Sequence, residues 1–312
     1  MMGLATREAY GEILKELGKK HQNIVVLDAD LSKSTKTAVF AKAFPERFFN
    51  VGIAEQNLMG VGAGMAAAGK IPFVSTFAMF AAGRAFEQVR NSICYPQLNV
   101  KIAATHAGLT VGEDGASHQA IEDISLMRSI PNMTVIVPAD AEETRQAVTF
   151  AAEYHGPVYI RLGRMSVPDL FDADYKFEHG KAVQLVDGTD VTIMATGIMV
   201  APAKAAAEEL RKAGVNARVL NFHTIKPIDK AAICKAAQDT GAIVTCEEHS
   251  IIGGLGSAVA EVIVENMPVP MERVGVMDTF GESGTPASLL VKYGLTTEHI
   301  VAAAQRVVAR KK

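Results

Sequence analysis

Glu55 is the residue that type and position most favour for chemistry. It opens a run of small and apolar residues of helical length, 55–68, just after Asn50-Val51-Gly52-Ile53-Ala54. A helix N-terminus stabilises negative charge, so a carboxylate suits that position. In apolar surroundings such a group can share a proton with a basic partner. A second candidate is the polar loop 106–119, HAGLTVGEDGASHQ, where two imidazoles flank a Gly-rich acidic turn. Imidazoles exchange protons near neutral pH, and polar loops of this length inside a domain are usually functional or disordered. Between the two lie Phe77 and Phe80 in TFAMF, flat and apolar enough to stack on a ring. Each has an ordinary alternative. Glu55 could be a helix-end charge, the phenylalanines a core stripe, and the histidines satisfied structural groups.

These residues need a frame. Apolar β-branched runs at 24–27, 72–75, 102–105, 134–137 and 158–160 alternate with helix-like runs at 7–17, 55–68, 80–93 and 141–152. The pattern restarts with strands at 191–195, 217–220, 243–246 and 271–276 and helices at 201–213, 230–238, 256–266 and 298–309. Such alternation implies parallel sheets covered by helices on both faces. Ligands then bind beyond the carboxyl ends of the strands, which singles out the turns after Leu27, Val51, Ser75 and Thr105. Residues 164–180 break the rhythm with Pro and Asp turn signals. The expected division is 1–165, a linker at 166–180, and 181–312.

Bulk properties exclude several classes. Net charge is −3 and no basic cluster stands out, against nucleic acid or an anionic membrane surface. The apolar stretches 58–69 and 71–83 are separated by Lys70, and each is too short to span a bilayer. There is no secretory start, and Cys94, Cys234 and Cys246 show no zinc or redox spacing. A cytoplasmic protein with three buried, reduced cysteines is expected, with no metal ligand set of its own.

The stretches NVGIAEQNLMGVGAGMAAAG, PFVSTFAMF and ATHAGLTVGEDGASHQAIEDISLMRSIPNMTVIVPAD, in that order, strongly resemble the pyrimidine-binding domain of transketolase. The second half resembles the C-terminal domain of the same superfamily. The resemblance implies an α/β fold of two consecutive three-layer α/β/α domains, a thiamine diphosphate-binding pyrimidine-type domain followed by a transketolase C-terminal-like domain. It implies that Glu55 contacts the cofactor's aminopyrimidine, that Ile53 holds the cofactor bent, and that Phe77 and Phe80 line its pocket, Phe80 by stacking. Asp30 resembles an Asp near the thiazolium. His106 and His118 would contact donor oxygens and take part in catalysis, and Asp114 would bind a sugar hydroxyl. Arg7, Ser34 and Arg164 match phosphate contacts, a role suited to the forked guanidinium. Two features depart from or refine the pattern. The family commonly carries Tyr where Gly83 stands, and Thr105-His106 favours transketolase over deoxyxylulose phosphate synthases, which usually have Asp at that position.

The family holds the cofactor diphosphate through Mg²⁺ with a Gly-Asp-Gly motif, and no such tripeptide occurs here. The implied protein is therefore one subunit of a split transketolase, moving a two-carbon ketol group from a ketose phosphate to an aldose phosphate. Its partner would be an N-terminal subunit carrying that motif and most of the Mg²⁺ ligation, in a two-plus-two heterotetramer built on self-association of this chain. Other readings are the β subunit of a 2-oxo acid dehydrogenase, a deoxyxylulose-synthase-like half, or a catalytically silent partner-binding half. The string Gly62-Ala63-Gly64-Met65-Ala66-Ala67 lies inside a helical run, so a dinucleotide reading fails its context. Glu247, Glu248 and His249 follow a strand with no accompanying ligand set, and no chemistry is assigned to them.

Overall fold

The structure, a computed structural model, describes residues 2–311. Its strands are β1 (Met2–Ala5), β2 (Ile24–Asp28), β3 (Phe48–Asn50), β4 (Ile71–Phe77), β5 (Lys101–Thr105), β6 (Thr134–Ile136) and β7 (Val158–Arg161). They continue as β8 (Ser166–Pro168), β9 (Val183–Val186), β10 (Val191–Ala195), β11 (Ala217–Asn221), β12 (Thr224–Lys226), β13 (Ile243–Ser250) and β14 (Met271–Val276). One sheet has seven strands in the order β12-β6-β7-β5-β4-β2-β3, parallel except for β12 on β6. The second has five, β14-β13-β10-β11-β9, parallel except for β9 on β11.

Helices cover both sheets, the layered α/β architecture expected. Strands covered on two faces should be buried at successive positions, and β2, β5, β7, β10 and β11 are buried throughout. On one face of the first sheet, Tyr10, Leu14 and Leu17 of helix Thr6–Lys20 pack near Val148 and Ala151 of helix Ala141–Glu153. On the other, Leu58 and Met59 of helix Glu55–Ala67 belong to a core that also takes in Ile233 and Ala236 of helix Lys230–Thr240. The same core reaches Val259 of helix Leu255–Asn266. The two halves thus share this apolar core, while further apolar clusters lie beside it.

Three details differ from expectation. First, β12, at residues 224–226 of the second half, is the antiparallel edge strand of the first sheet, with Val137 N–H donating to the His223 carbonyl at 2.8 Å. A three-residue strand carries too little periodicity to be read. Second, the segment expected as a helix over 80–93 is helical but over-wide, with π-turns at Phe80–Arg84 and Val89–Cys94. Third, residues 166–180 are tied down: β8 pairs with β1, and Asp140 Oδ2 accepts from Leu170 N–H at 2.7 Å and Phe171 N–H at 2.8 Å. Of the cysteines, Cys94 and Cys246 are buried, whereas Cys234 is only half-buried at the helix surface.

Asp140 does two jobs, because its Oδ1 also caps helix Ala141–Glu153 by accepting from Glu143 N–H at 2.8 Å. Asp140→Ala removes a cap and strands two linker amides. It should destabilise the chain by about 2–3 kcal/mol in denaturant unfolding and open residues near 170 to limited proteolysis.

Candidate active site

Helix Glu55–Ala67 begins after Ala54, which has no side chain to cap it, so Glu55 supplies the negative group at that end. Glu55 is buried, and its Oε2 accepts a hydrogen bond from Arg84 Nη1 at 2.8 Å. The Arg84 side chain is 51% exposed, and its guanidinium carbon lies 4.7 Å from the centre of the Phe80 ring. Arg84 was not foreseen. In the wide turn, Ala85 N–H reaches back five residues to the Phe80 carbonyl at 3.2 Å. Such turns have no regular sequence period and occur preferentially at functional sites. At Gly83 a Cβ would sit 2.6 Å from Met79 Cε, so the side-chain wall the family pattern expects there is absent, and Arg84 stacks on Phe80.

The aromatic rings run on from there. Phe80 and Phe77 stack at 6.0 Å, and Phe77 stacks on His106 at 3.9 Å. His118 meets the edge of Phe80 at 5.4 Å and shares a hydrogen bond of 3.0 Å with Ser117 Oγ through Nδ1. His106 follows β5 with φ +56°, a left-handed conformation uncommon for a non-glycine residue. Arg7 Nη1 donates to His106 Nε2 at 3.2 Å and to the Ser34 carbonyl at 2.9 Å. Arginine can only donate, so Nε2 is the acceptor and Nδ1–H faces Thr105 Oγ1 at 2.9 Å. Burial pushes His106 down to about 3, assisted by the positive charges of Arg7 and Arg164. Arg7 Nε finds no hydrogen-bond partner among the described residues.

Arg164 Nη1 donates to the Val111 carbonyl at 2.6 Å and lies 3.7 Å from both Glu113 Oε2 and Asp114 Oδ2. The structure thus gathers Glu55, Phe77, Phe80, His106, His118, Arg7 and Ser34 into one continuous set of contacts, with Arg164, just after β7, reaching Asp114 of the histidine-bearing loop. Two expected residues stand apart. Ile53 is 79% exposed, and Asp30, at φ +64°, exchanges hydrogen bonds with Asn50 of β3 at 2.9 and 3.0 Å. Asp28 was also passed over. It is buried at the end of β2 and accepts from Leu31 N–H, Thr35 Oγ1 and Thr37 Oγ1, which fixes the loop carrying Ser34. Burial holds its carboxyl above the usual carboxylate range. Among the described residues no group of three or more His, Cys, Asp or Glu is placed to hold a metal ion.

The description of the transketolase pyrimidine binding domain matches residues 2–169, and that of the transketolase C-terminal domain matches residues 180–300. The chain belongs to the transketolase family. It is 54% identical over 309 residues to a putative transketolase C-terminal section of Methanocaldococcus jannaschii, covering 98% of this chain and 96% of that protein. It is 48% identical to a 6-deoxy-6-sulfo-D-fructose transketolase subunit of Clostridium sp. strain MSTE9, covering 98% and 95%. A solved structure described as a split gene transketolase, inactive beta4 tetramer, is 63% identical, covers 99% of this chain and 100% of that one, and superposes with a TM-score of 0.94. The family's domains imply binding of thiamine diphosphate.

The neutral state of His106 is testable. Its folded pKa lies below the ordinary 6.5, so the unfolded chain takes up the proton first. Its contribution to stability is therefore intact above about pH 6.5 and is lost as pH falls toward about 3. NMR of labelled histidines should show no protonation of His106 between about pH 5 and 8. Arg7→Met, by removing a neighbouring positive charge, should move its titration upward.

Proposed function

We propose that this chain is the pyrimidine-side subunit of a two-subunit transketolase, transferring a two-carbon ketol unit from a ketose phosphate to an aldose phosphate. The observation that carries this reading is the unbroken contact series from buried Glu55 through Arg84, Phe80 and Phe77 to His106 and Arg7. A planar, N–H-bearing group already fits between the Phe80 face and the Glu55 carboxylate, because the Arg84 guanidinium stacks on one and donates to the other. An aminopyrimidine is also flat, and once its ring nitrogen takes a proton from Glu55 it presents an N–H to that carboxylate as the guanidinium does, so these residues suit thiamine diphosphate, whose thiazolium would supply the nucleophile and electron sink when bound. The diphosphate and Mg²⁺ are assigned mainly to an N-terminal partner, since no Gly-Asp-Gly tripeptide occurs in this sequence.

In this reading Glu55 exchanges a proton with the pyrimidine ring, Phe80 stacks on it and Phe77 lines the pocket, while Ile53 and Asp30, which stand apart from that series here, would meet the cofactor from the exposed side where the partner subunit adds the rest of the site. His106, neutral at working pH, and His118 hold donor oxygens and move protons there, and Asp114 takes a sugar hydroxyl. Arg7, Ser34 and Arg164 receive the anionic end of the sugar, the two guanidinium groups offering forked donors to its oxygens. The relative named for a sulfonated fructose supports a tetrahedral oxyanion as the group recognised, with the sugar itself varying among relatives. The domain division proposed is 1–165 and 181–312, joined by 166–180. The assembly is a heterotetramer formed by self-association of this chain with two partner subunits, in the cytoplasm, consistent with three free cysteines.

Purified alone with thiamine diphosphate and Mg²⁺, the chain should give no ketol transfer, and adding a Gly-Asp-Gly-bearing partner should restore it. In the restored enzyme, Glu55→Ala should lower turnover by a factor on the order of 10²–10⁴, the range for a positioned acid–base group. A near-normal rate would remove Glu55 from the mechanism.

A further inference from the structure

The loop carrying His106, Asp114 and His118 rests on the second half of the chain. Glu248 belongs to β13 and is 3% exposed. Its Oε1 accepts from the Thr110 backbone N–H at 2.6 Å. Gly108 stands two residues after His106 with φ +82°, and a Cβ there would be 2.2 Å from the Glu248 carboxyl carbon. The carboxylate therefore lies flat against the main chain between His106 and Asp114, a contact only glycine permits.

The charge of Glu248 is met from behind. Arg161 Nη1 is 3.9 Å from Glu248 Oε2, and Arg161 Nη2 donates to the carbonyls of Glu248 at 2.9 Å and Ala120 at 3.1 Å. A second clamp closes the far end of the loop. Gln119 Nε2 donates to the carbonyls of Leu109 at 3.2 Å, Gly112 at 3.3 Å and Glu282 at 2.9 Å, and Ser250 N–H donates to the Ile121 carbonyl at 2.8 Å. Each clamp draws one side from the first sheet's loop and the other from the second half.

A buried carboxylate is costly unless it is paired and hydrogen-bonded. Burial pushes Glu248 up to about 7, so the cost is present in the folded chain. An apolar filler could not accept the short bond from the Thr110 amide; a side-chain oxygen in this position can. We propose that Glu248 is a positioning residue for the donor site, through which the C-terminal half fixes the Gly108–Thr110 main chain and so the spacing of His106 and His118. This rests on the donor-site reading of the two histidines given above, and it gives the second half a part in donor recognition beyond assembly.

The test uses the enzyme reconstituted with its partner. Glu248→Ala should raise the donor KM by about tenfold or more, the loss expected for a charge-assisted hydrogen bond. The acceptor KM and the thiamine diphosphate Kd should stay within about twofold. Glu248→Gln, which keeps an acceptor oxygen, should recover most of the donor affinity. A donor kcat/KM unchanged in Glu248→Ala, or an equal loss of cofactor affinity, would overturn the proposal. Hydrogen exchange on the unaltered chain needs no variant: the Thr110 amide should exchange as slowly as the amides of β13. Exchange as fast as the exposed 113–117 turn would overturn it. Should His106→Ala and His118→Ala leave donor kinetics intact, the donor-site reading fails while the exchange result still stands or falls by itself.

Discussion

The fold turns on one buried guanidinium. Arg161 ends β7 with its side chain 6% exposed, and it has donors enough to bind three separate segments at once. Its Nε donates to both oxygens of Asp123 at 3.1 and 2.8 Å, Tyr159 OH donates to the same carboxylate at 2.8 Å, and Nη2 spans Ala120 and Glu248. Removing charge from water costs several kcal/mol per ion, and pairing offsets it only where the geometry satisfies every donor. What such a cluster supplies is a single arrangement. Strand β7, the helix at Asp123–Ser129 and β13 of the second sheet meet at Arg161. The histidine-bearing loop lies between those anchors, so its geometry follows from theirs.

A similar economy governs the site itself. The imidazole of His106 sits beside Arg7 and near Arg164, an environment that forbids a second positive charge. Burial first, and these charges second, hold the ring neutral, with Nε2 committed as acceptor and Nδ1–H directed at Thr105. A histidine that kept its ordinary pKa would be partly cationic and would repel the arginines that face the same opening. Positive charge is thus kept on guanidinium groups, which cannot lose it, beside a neutral His106 imidazole. Lys101 shows the same logic in the scaffold. Buried in β5, it is pushed down to about 7 and donates to the carbonyls of Tyr154 and Gly156 just beyond helix Ala141–Glu153.

Much of this was legible in the sequence, and the reasons are specific. Strand Val191–Ala195 is a nearly unbroken apolar run between turn signals and has the bounds the sequence predicts; Met271–Val276 also has the predicted bounds, although Glu272 and Arg273 interrupt its apolar pattern. The pocket-forming stretches could be found because several motifs occur in order at consistent spacing. Short elements were not legible: Ser32–Thr35, Phe48–Asn50 and Thr224–Lys226 offer too few residues for a period to register. Contacts between distant residues were not legible either. Nothing in GEDG or in CEEH says that Glu248 will lie against Gly108, because that pairing depends on how two sheets pack.

Arg84 illustrates the remaining gap and what it means for a site of this kind. A carboxylate at a helix start, sealed on its inner side by apolar residues, needs a partner for its outward oxygen. Phe80 and Arg84 are four residues apart, a spacing that makes neighbours on a helix, but nothing in the sequence ties Arg84 to Glu55, twenty-nine residues earlier. The π-turn adds a residue to the ring, and the guanidinium comes to lie over Phe80 and against Glu55. A flat cation resting on an aromatic face in reach of a buried acid satisfies both groups with one side chain, and it does so from the solvent side, where the side chain remains half exposed. The pair is therefore stable enough to keep Glu55 from being an orphaned charge. It also keeps the guanidinium half exposed, at the mouth of the site and not in the core.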